Sequence, residues 1–404
     1  MSTRQILSYR RQYIISNDEN FKGWDHWKLI QFQYSSLRVS LHSDIISDYY
    51  ANDQVEIALI GYILDPYQPT FTNTNILAEL AQSHSDDDFI KSTARFGGRY
   101  LLLRQVKGGS SLVIGDTIAS RELYYTHQGG KFWAAAQANL LKEFIPLKER
   151  EDKAYWDFVN SKVYTNREKA SIGDECIYEK VYHLLPNFYV DLGQEKAIRY
   201  WPRQNYQPLS LKKGAEKVAR ILTGLMQAAN QRFSLMIAFT AGWDSRMNVA
   251  ATEAIYKDVE YYINRFPGLS QKHPDIFVPQ KLSKKLGLSF SVRDHEQVEV
   301  DPEFLEIYHQ NYQNPLDKFV KVYYHYYQNY EAGKLNILTA GSEITRNYYP
   351  NYEPKSGDDV ARMAGYRDFD FIQEQSAKWL DSMHKSNYST PDIFYWEQRV
   401  GNWA

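Results

Sequence analysis

The spacing of apolar positions changes character once along this chain. Up to about residue 145 the apolar runs are short and broken by turn residues. Val55–Ile63, Arg99–Arg104 and Ser111–Asp116 read as strands. Leu123–Thr126 and Lys131–Ala135 read as a hairpin around Gly129-Gly130, while Ile76–Gln82 and Asp86–Thr93 carry short helical spacing. Successive strands with short turns predict an antiparallel sheet. A helical connector follows around Ala154–Val163, then strand-like Val181–Asp191 and Ile198–Pro202.

Beyond these the period lengthens. Leu211–Gln231 has the spacing of a long amphipathic helix. Phe233–Phe239 is a short apolar strand, Arg246–Tyr256 is helical, and Val259–Arg265 is a second strand. Asp275–Leu286 is helical again, and Leu288–Val292 and Asn336–Thr339 are two further strands. Strand–helix alternation predicts a parallel sheet with helices on both faces. The boundary falls near residue 205, in Gln204–Pro208, giving two units, 1–205 and 206–404.

Composition narrows the function more than the fold. A chain of 404 residues suits two or three domains, and 43% hydrophobic with 24% charged residues is ordinary for globular protein. The formal net charge of -2 argues against a chain whose main task is gripping nucleic acid. A single cysteine, Cys176, rules out an internal disulfide framework and a multi-cysteine zinc site; it reads as a small apolar side chain. The start, Met1–Ile6, lacks the apolar stretch of a signal peptide, and no apolar run approaches the ~20 residues of a membrane span. Both absences point to the cytoplasm. The chain is rich in Tyr, with clusters at Tyr323–Tyr327 and Tyr348-Tyr349. Such rings suit wet clefts and subunit contacts, a homodimer among them.

One segment carries chemistry. In Ser234–Arg246 a short apolar strand runs into small residues and then a helix. Small side chains let backbone N–H groups approach a phosphate, and the helix N-terminus adds partial positive charge. Thr240 and Ser245 add hydroxyls. Asp244 would repel phosphate alone, and makes sense there as a ligand of Mg²⁺ shared with a polyphosphate. The G-x-x-x-x-G-K-[ST] spacing is absent, so this is not a Walker-type loop. The competing reading is a plain strand-to-helix turn with Asp244 as a helix-start charge.

Phe239-Thr240-Ala241-Gly242-Trp243-Asp244-Ser245 resembles the Ser-Gly-Gly-x-Asp-Ser loop of the asparagine synthetase superfamily, with Thr240 and Ala241 in place of Ser and Gly. Phe96–Tyr100, Ile114–Asp116 and Arg121–Tyr125 resemble that family's amidotransferase strands. His183–Pro186 through Arg199-Tyr200-Trp201 resembles its linker, Leu338–Ile344 its second nucleotide motif, and Glu397–Val400 its Glu-x-Arg segment. The resemblance implies an α/β two-domain protein. Its N-terminal domain would be an Ntn-hydrolase-like antiparallel β-sandwich with helices. Its C-terminal domain would be a parallel-sheet, adenine nucleotide α-hydrolase-like (PP-loop) domain.

Carried over by position, Thr240, Ala241, Gly242, Asp244, Ser245, Gly341 and Ser342 would hold ATP, and Asp244 and Glu343 would bind Mg²⁺. Asp275 falls where the family has acidic residues that orient substrate; otherwise it is a helix-start charge. The implied reaction adenylates a carboxylate of a small molecule or peptide, and an amine then attacks to give an amide and AMP. Family cyclases use a Tyr–Glu pair as base, which points to Glu397 with Tyr348 or Tyr349. A Lys that stabilises the adenylation transition state would be Lys355 or Lys378. The alternatives are a buried Glu397–Arg pair near Arg399 and solvated lysines.

Two departures qualify the resemblance. Ser2 stands where the family has an N-terminal Cys nucleophile, so hydrolysis of glutamine is not expected. The altered loop also leaves open a catalytically reduced homologue serving as a scaffold in a biosynthetic complex.

Overall fold

The computed structural model describes residues 3–266, 269–295, 297–329, 333–339, 342–345, 348–349 and 353–402. Twelve strands form the first part. Six make one antiparallel sheet: β1 (Tyr13–Ser16), β2 (Lys28–Gln31), β3 (Arg38–Leu41), β8 (Tyr124–Gln128), β9 (Lys131–Ala135) and β10 (Tyr182–His183), in the order 10-8-9-1-3-2. The second antiparallel sheet holds β4 (Ser47–Ala51), β5 (Val55–Leu64), β6 (Gly97–Val106), β7 (Ser111–Gly115), β11 (Phe188–Asp191) and β12 (Lys196–Arg199), in the order 12-11-7-6-5-4. The hairpin β8–β9 closes over Gly129 and Gly130, with φ of 61° and 71°. Two successive positive φ values are what a two-residue hairpin matching the strand twist requires.

The sheets stack face to face. Tyr13, Ile15, Val39 and Leu41 from one meet Ala58, Ile60, Leu101, Leu103 and Val113 from the other, all fully buried. Helices α2 (Asn73–Leu80) and α3 (Asp86–Thr93) cover the outer face of the second sheet, where Ile57, Leu59 and Leu102 meet Ile76, Leu77 and Phe89. Three Asp in the first turn of α3, and Ser85 capping Asp88 N–H, start that helix firmly. The other outer face is covered by aromatic loops and α4 (Ala138–Leu141), with Phe21, Trp27, Trp133 and Leu140 buried there. Short α1 (Thr3–Leu7) precedes all of this. Because β1 begins at Tyr13, the first sheet does not open at Ser2, which lies outside the described residues.

After α5 (Lys153–Val159) and α6 (Lys162–Asn166), the long α7 (Leu211–Asn230) leads into four parallel strands. These are β13 (Ser234–Ala238), β14 (Val259–Arg265), β15 (Phe290–Asp294) and β16 (Lys334–Ile337), in the order 15-14-13-16. Between them lie α8 (Trp243–Ala251), α9 (Pro274–Leu286), α10 (Pro302–Gln310) and α11 (Val320–Gln328). The chain steps outward from β13 to β15, then crosses back to place β16 on the opposite side of β13.

The two faces of this sheet differ. Leu235, Ile237, Val259, Tyr261, Leu335 and Ile337 pack against Met226, Ala228 and Ala229 of α7 and Ala251 of α8. The other face presents Glu260, Tyr262 and Asn264 of β14, Arg293 of β15, and Lys334 and Asn336 of β16. They are tied by hydrogen bonds rather than apolar packing: Arg293 to Glu260 (2.5 Å), Lys334 to Glu260 (2.6 Å) and Tyr262 to Asn336 (2.7 Å). Helix α11 meets this face through Tyr326, whose hydroxyl lies 2.9 Å from Asn264 Nδ2. The expected parallel sheet is therefore present, but its second face is joined to a helix by polar contacts.

The remaining helices, α12 (Gly357–Ala364), α13 (Asp370–Asp381) and α14 (Thr390–Phe394), do not cover the parallel sheet. Val360, Ile372, Trp379 and Phe394 instead form one core with Tyr155, Phe158, Tyr164 and Ile172. This helical cluster draws on both sides of residue 205. A second seam joins α7 to β5: Gly224 lies against the Pro66 carbonyl with no room for a side chain, and Arg232 donates to Ile63 O and Asn73 Oδ1. Among the described residues no helix is long and apolar enough to cross a membrane.

Candidate active site at the ends of β13 and β16

In an open parallel sheet, the crevice outside the carboxyl ends of strands opens where the chain reverses its direction of travel across the sheet. Here the reversal lies between neighbours β13 and β16. Both chemistry-bearing segments leave the sheet there. Residues 239–242 follow β13, and a 3₁₀ turn, Ser342–Thr345, follows β16. The topology thus brings together two stretches separated by about a hundred residues. Gly341 lies outside the described residues, and so does the side chain of Glu343.

The first loop is held by its own side chains. Ser245 is buried, and its hydroxyl lies within 3.1 Å of Thr240 N, Thr240 Oγ1, Thr240 O and Gly242 O. Gly242 N–H donates to Thr240 Oγ1 at 3.1 Å. Gly242 is the N-cap of α8 and Asp244 stands in its first turn, half-buried. Trp243 does not plug the turn: its ring is 73% exposed, with the Arg246 guanidinium 4.2 Å from its centroid.

Asp275 enters this loop from across the sheet. It lies in the first turn of α9, at the carboxyl end of β14, and its Oδ1 accepts the Ala241 N–H at 3.0 Å. His273 caps the same helix through Nδ1, which stands 3.7 Å from the other Asp275 oxygen. An acidic side chain therefore occupies one of the amides that a phosphate cradle would offer. A Mg²⁺ shared with a polyphosphate needs only one or two protein carboxylates. Asp244 beside an exposed glycine turn fits that modest demand, and among the described residues no cluster of three or more ligating side chains exists to suggest a fully protein-bound ion.

Other residues singled out from the sequence lie elsewhere. Glu397 is fully buried, and its carboxylate accepts from Arg199 through both nitrogens, from Asn187 Nδ2 (3.0 Å) and from Trp379 Nε1 (2.7 Å). A carboxylate with that many donors and no exposure has no free lone pair to act as a base, so the catalytic assignment of Glu397 is corrected to a structural ion pair. Its partner is Arg199 and not the neighbourhood of Arg399. Lys355 is exposed ahead of α12, and Lys378 is engaged by Glu175 (3.0 Å) and Glu374 (2.9 Å). Tyr348 is 47% exposed and packs on the Tyr395 ring with centroids 4.7 Å apart. Cys176 behaves as read: burial pushes its thiol up to about 12, and Sγ lies 3.4 Å from Val181 O.

The polar sheet face is a feature that motif reading passed over. His295, 3% exposed just past β15, hydrogen-bonds Asn264 Oδ1 at 2.8 Å, and Tyr326 joins Asn264 to Tyr262 and so to Asn336. Burial, then His325 and Arg293 nearby, push the His295 imidazole down to about 4, so it is neutral at pH 7.

No family model matches this chain, and no curated protein matches it. Solved structures do. A glutamine phosphoribosylpyrophosphate (PRPP) amidotransferase from B. subtilis, complexed with ADP and GMP, aligns at 11% identity over 69% of this chain and 66% of that one, with a TM-score of 0.26. A glutamine-dependent NAD+ synthetase from Acinetobacter baumannii, in complex with ADP, aligns at 15% identity over 63% and 52%, with a TM-score of 0.25. An allosteric regulatory enzyme of purine biosynthesis aligns at 10% identity over 90% and 85%, with a TM-score of 0.29. The chain thus spans just under two thirds of the first and about half of the second. None of these three is an asparagine synthetase.

Proposed function

We propose that this protein is an ATP-dependent, AMP-forming amide ligase or cyclase that adenylates a substrate carboxylate without hydrolysing glutamine. One observation carries the reading: the loop bearing Asp244 and Ser245 and the turn bearing Ser342 and Glu343 leave adjacent parallel strands at the reversal point of the sheet. Thr240, Ala241, Gly242, Ser245 and Ser342 would line the triphosphate, and Asp244 with Glu343 would hold Mg²⁺. Bound there, Mg²⁺ would neutralise phosphate charge and favour departure of pyrophosphate. The α8 N-terminus adds its dipole to the same end. Tyr348, half-exposed beyond the second turn, would assist the attacking amine, and exposed Lys355 would stabilise the adenylation step. The polar face at Asn264, Tyr326 and His295 would receive the carboxylate-bearing substrate through neutral hydrogen bonds.

The experiment is calorimetry with Mg-ATP, and pyrophosphate release with candidate amino-carboxylates, on the wild type and on Asp244→Ala. Binding by the wild type, weakened at least about tenfold by the substitution, is expected for loss of a charged contact. Equal binding by both, or binding by neither, sinks the reading.

A scaffold without nucleotide chemistry is the second reading, favoured by the loop's own occupancy. The amides of Thr240, Ala241 and Gly242 already have side-chain acceptors. Asp275→Ala separates the two: if Asp275 merely holds the place of a phosphate oxygen, its removal tightens Mg-ATP binding; in a scaffold it changes nothing.

A further inference from the structure

We infer that Arg99 and Arg121 form a binding site for a small oxyanion, a carboxylate or phosphate group, at the mouth of the antiparallel sandwich where it meets the segment after α10. The site is built by three strands. Arg99 of β6 lies directly opposite Tyr62 of β5, and each is flanked by a glycine of positive φ, Gly98 (122°) and Gly61 (109°). A side chain at either glycine would strike the backbone of the other strand, so this stretch of the ladder must stay bare. Arg99 Nε donates to Ser120 O at 2.8 Å, which brings its guanidinium to the loop carrying Arg121. Arg121 in turn reaches the chain ahead of β1, with Nη1 3.4 Å from Arg11 O. The Tyr13 hydroxyl donates to the Glu122 carbonyl and closes the ring of elements.

Among the described residues the positive charge gathered there has no adequate partner. Arg121 Nε is buried and, among the described residues, has no hydrogen-bond acceptor. Burial, then the neighbouring Arg99, push the Arg121 guanidinium down to about 10. The carboxylates in reach are committed or weak. Asp116 already accepts from the Tyr100, Ile118 and Ser120 N–H groups and from the Ser120 hydroxyl. Asp44 is paired with Arg10 at 2.7 Å. Burial lifts the Glu122 carboxyl to about 7, against a smaller pull from Arg99, so its charge is incomplete at neutral pH. Desolvated cations persist in proteins when a counter-charge is supplied. Guanidinium forks are the side chains that take carboxylate or phosphate in two parallel hydrogen bonds. Arg99 is exposed, so the site is open to a ligand, and Gln12 Nε2, donating to Asn311 O at 2.8 Å, ties the segment after α10 to the chain ahead of β1.

The test titrates the full chain with inorganic phosphate and, separately, with succinate, holding ionic strength constant with sodium chloride, by calorimetry and thermal melting. Either anion, or both, should bind and raise the melting temperature with the logarithm of its concentration. Arg99→Gln and Arg121→Gln should each weaken that response by about 10- to 100-fold, the worth of a charged hydrogen bond. Arg121→Gln should melt no lower than the wild type when neither anion is present, because it removes an unneutralised cation. No response to either anion overturns the proposal, as does an unchanged response in Arg99→Gln, whose side chain is solvent-facing and dispensable for folding. A marked fall in melting temperature of Arg121→Gln in anion-free buffer overturns it too, since Arg121 is then structural. The response should survive in Asp244→Ala, which sets this site apart from the loop after β13.

Discussion

The antiparallel sandwich and the parallel sheet bury their strands by opposite strategies. Between the two six-stranded sheets, facing side chains such as Leu41, Ile60 and Leu103 are excluded from water on a dry seam, and the outer faces are covered as well. The four-stranded sheet is dry on one face and hydrogen-bonded on the other, where Glu260, Tyr262 and Asn336 stand in place of aliphatic residues. Dry, interdigitated layers give rigidity, while a polar face keeps donors and acceptors available near a crevice. The candidate chemistry belongs to the second kind of sheet, and the first supplies the frame.

The largest expected effect tests the clasp between the antiparallel sandwich and the C-terminal helical cluster. Glu397→Ala leaves Arg199 buried without its carboxylate and should cost about 3–5 kcal/mol in urea unfolding; a loss near zero would mean that the two regions are not coupled through it. Next, Leu103→Ala, in the dry seam, should cost about 2–5 kcal/mol, whereas Leu335→Ala, only partly buried, should cost less. Equal losses would erase the contrast drawn between the sheets. Tyr262→Phe removes the hydroxyl that meets Asn336, and about 1 kcal/mol of stability should go with it.

The smallest effect is in pH. Each region holds an imidazole that burial depresses to about 4. Burial pushes His183, stacked on Tyr124 with centroids 4.7 Å apart, down to about 4, and His295 also lies at about 4. Both folded values are below that of a free imidazole, so the unfolded chain binds more protons between pH 6.5 and about 4. Their contribution is complete above pH 6.5 and is lost as the pH falls through that window. Melting temperature against pH should show this decline, and His183→Gln and His295→Gln should each flatten part of it.

Much of this was legible in the residue pattern, for identifiable reasons. Helix α7 begins and ends within a residue of its apolar period, because Ser210 caps it and twenty residues of amphipathic spacing outweigh local exceptions. The hairpin at Gly129-Gly130 is equally plain. Strands β1 to β4 are four or five residues each and lack a long apolar run, so they have no signal of their own and exist through pairing: β1 with β9, β3 with β1, β2 with β3, and β4 with β5. The polar sheet face did leave a trace. Val259-Glu260-Tyr261-Tyr262-Ile263-Asn264 alternates, where a parallel strand buried on both faces would be continuously apolar. The strand-to-helix turn at Thr240–Ser245 was visible because its small residues and hydroxyls are contiguous in sequence. Glu397 was misread because its meaning depends on Arg199, Asn187 and Trp379, and no local spacing reveals them.

The Glu397–Arg199 pair has a consequence for biosynthesis. The two residues are 198 positions apart. At typical elongation rates of about 5–20 residues per second, roughly 10–40 s pass between the synthesis of Arg199 and the arrival of its carboxylate. Through that interval β12 has emerged while the groove that receives its guanidinium does not yet exist. A polypeptide still short of Glu397 therefore carries that cation hydrated, and the β12 edge can lock only once the carboxylate has been made.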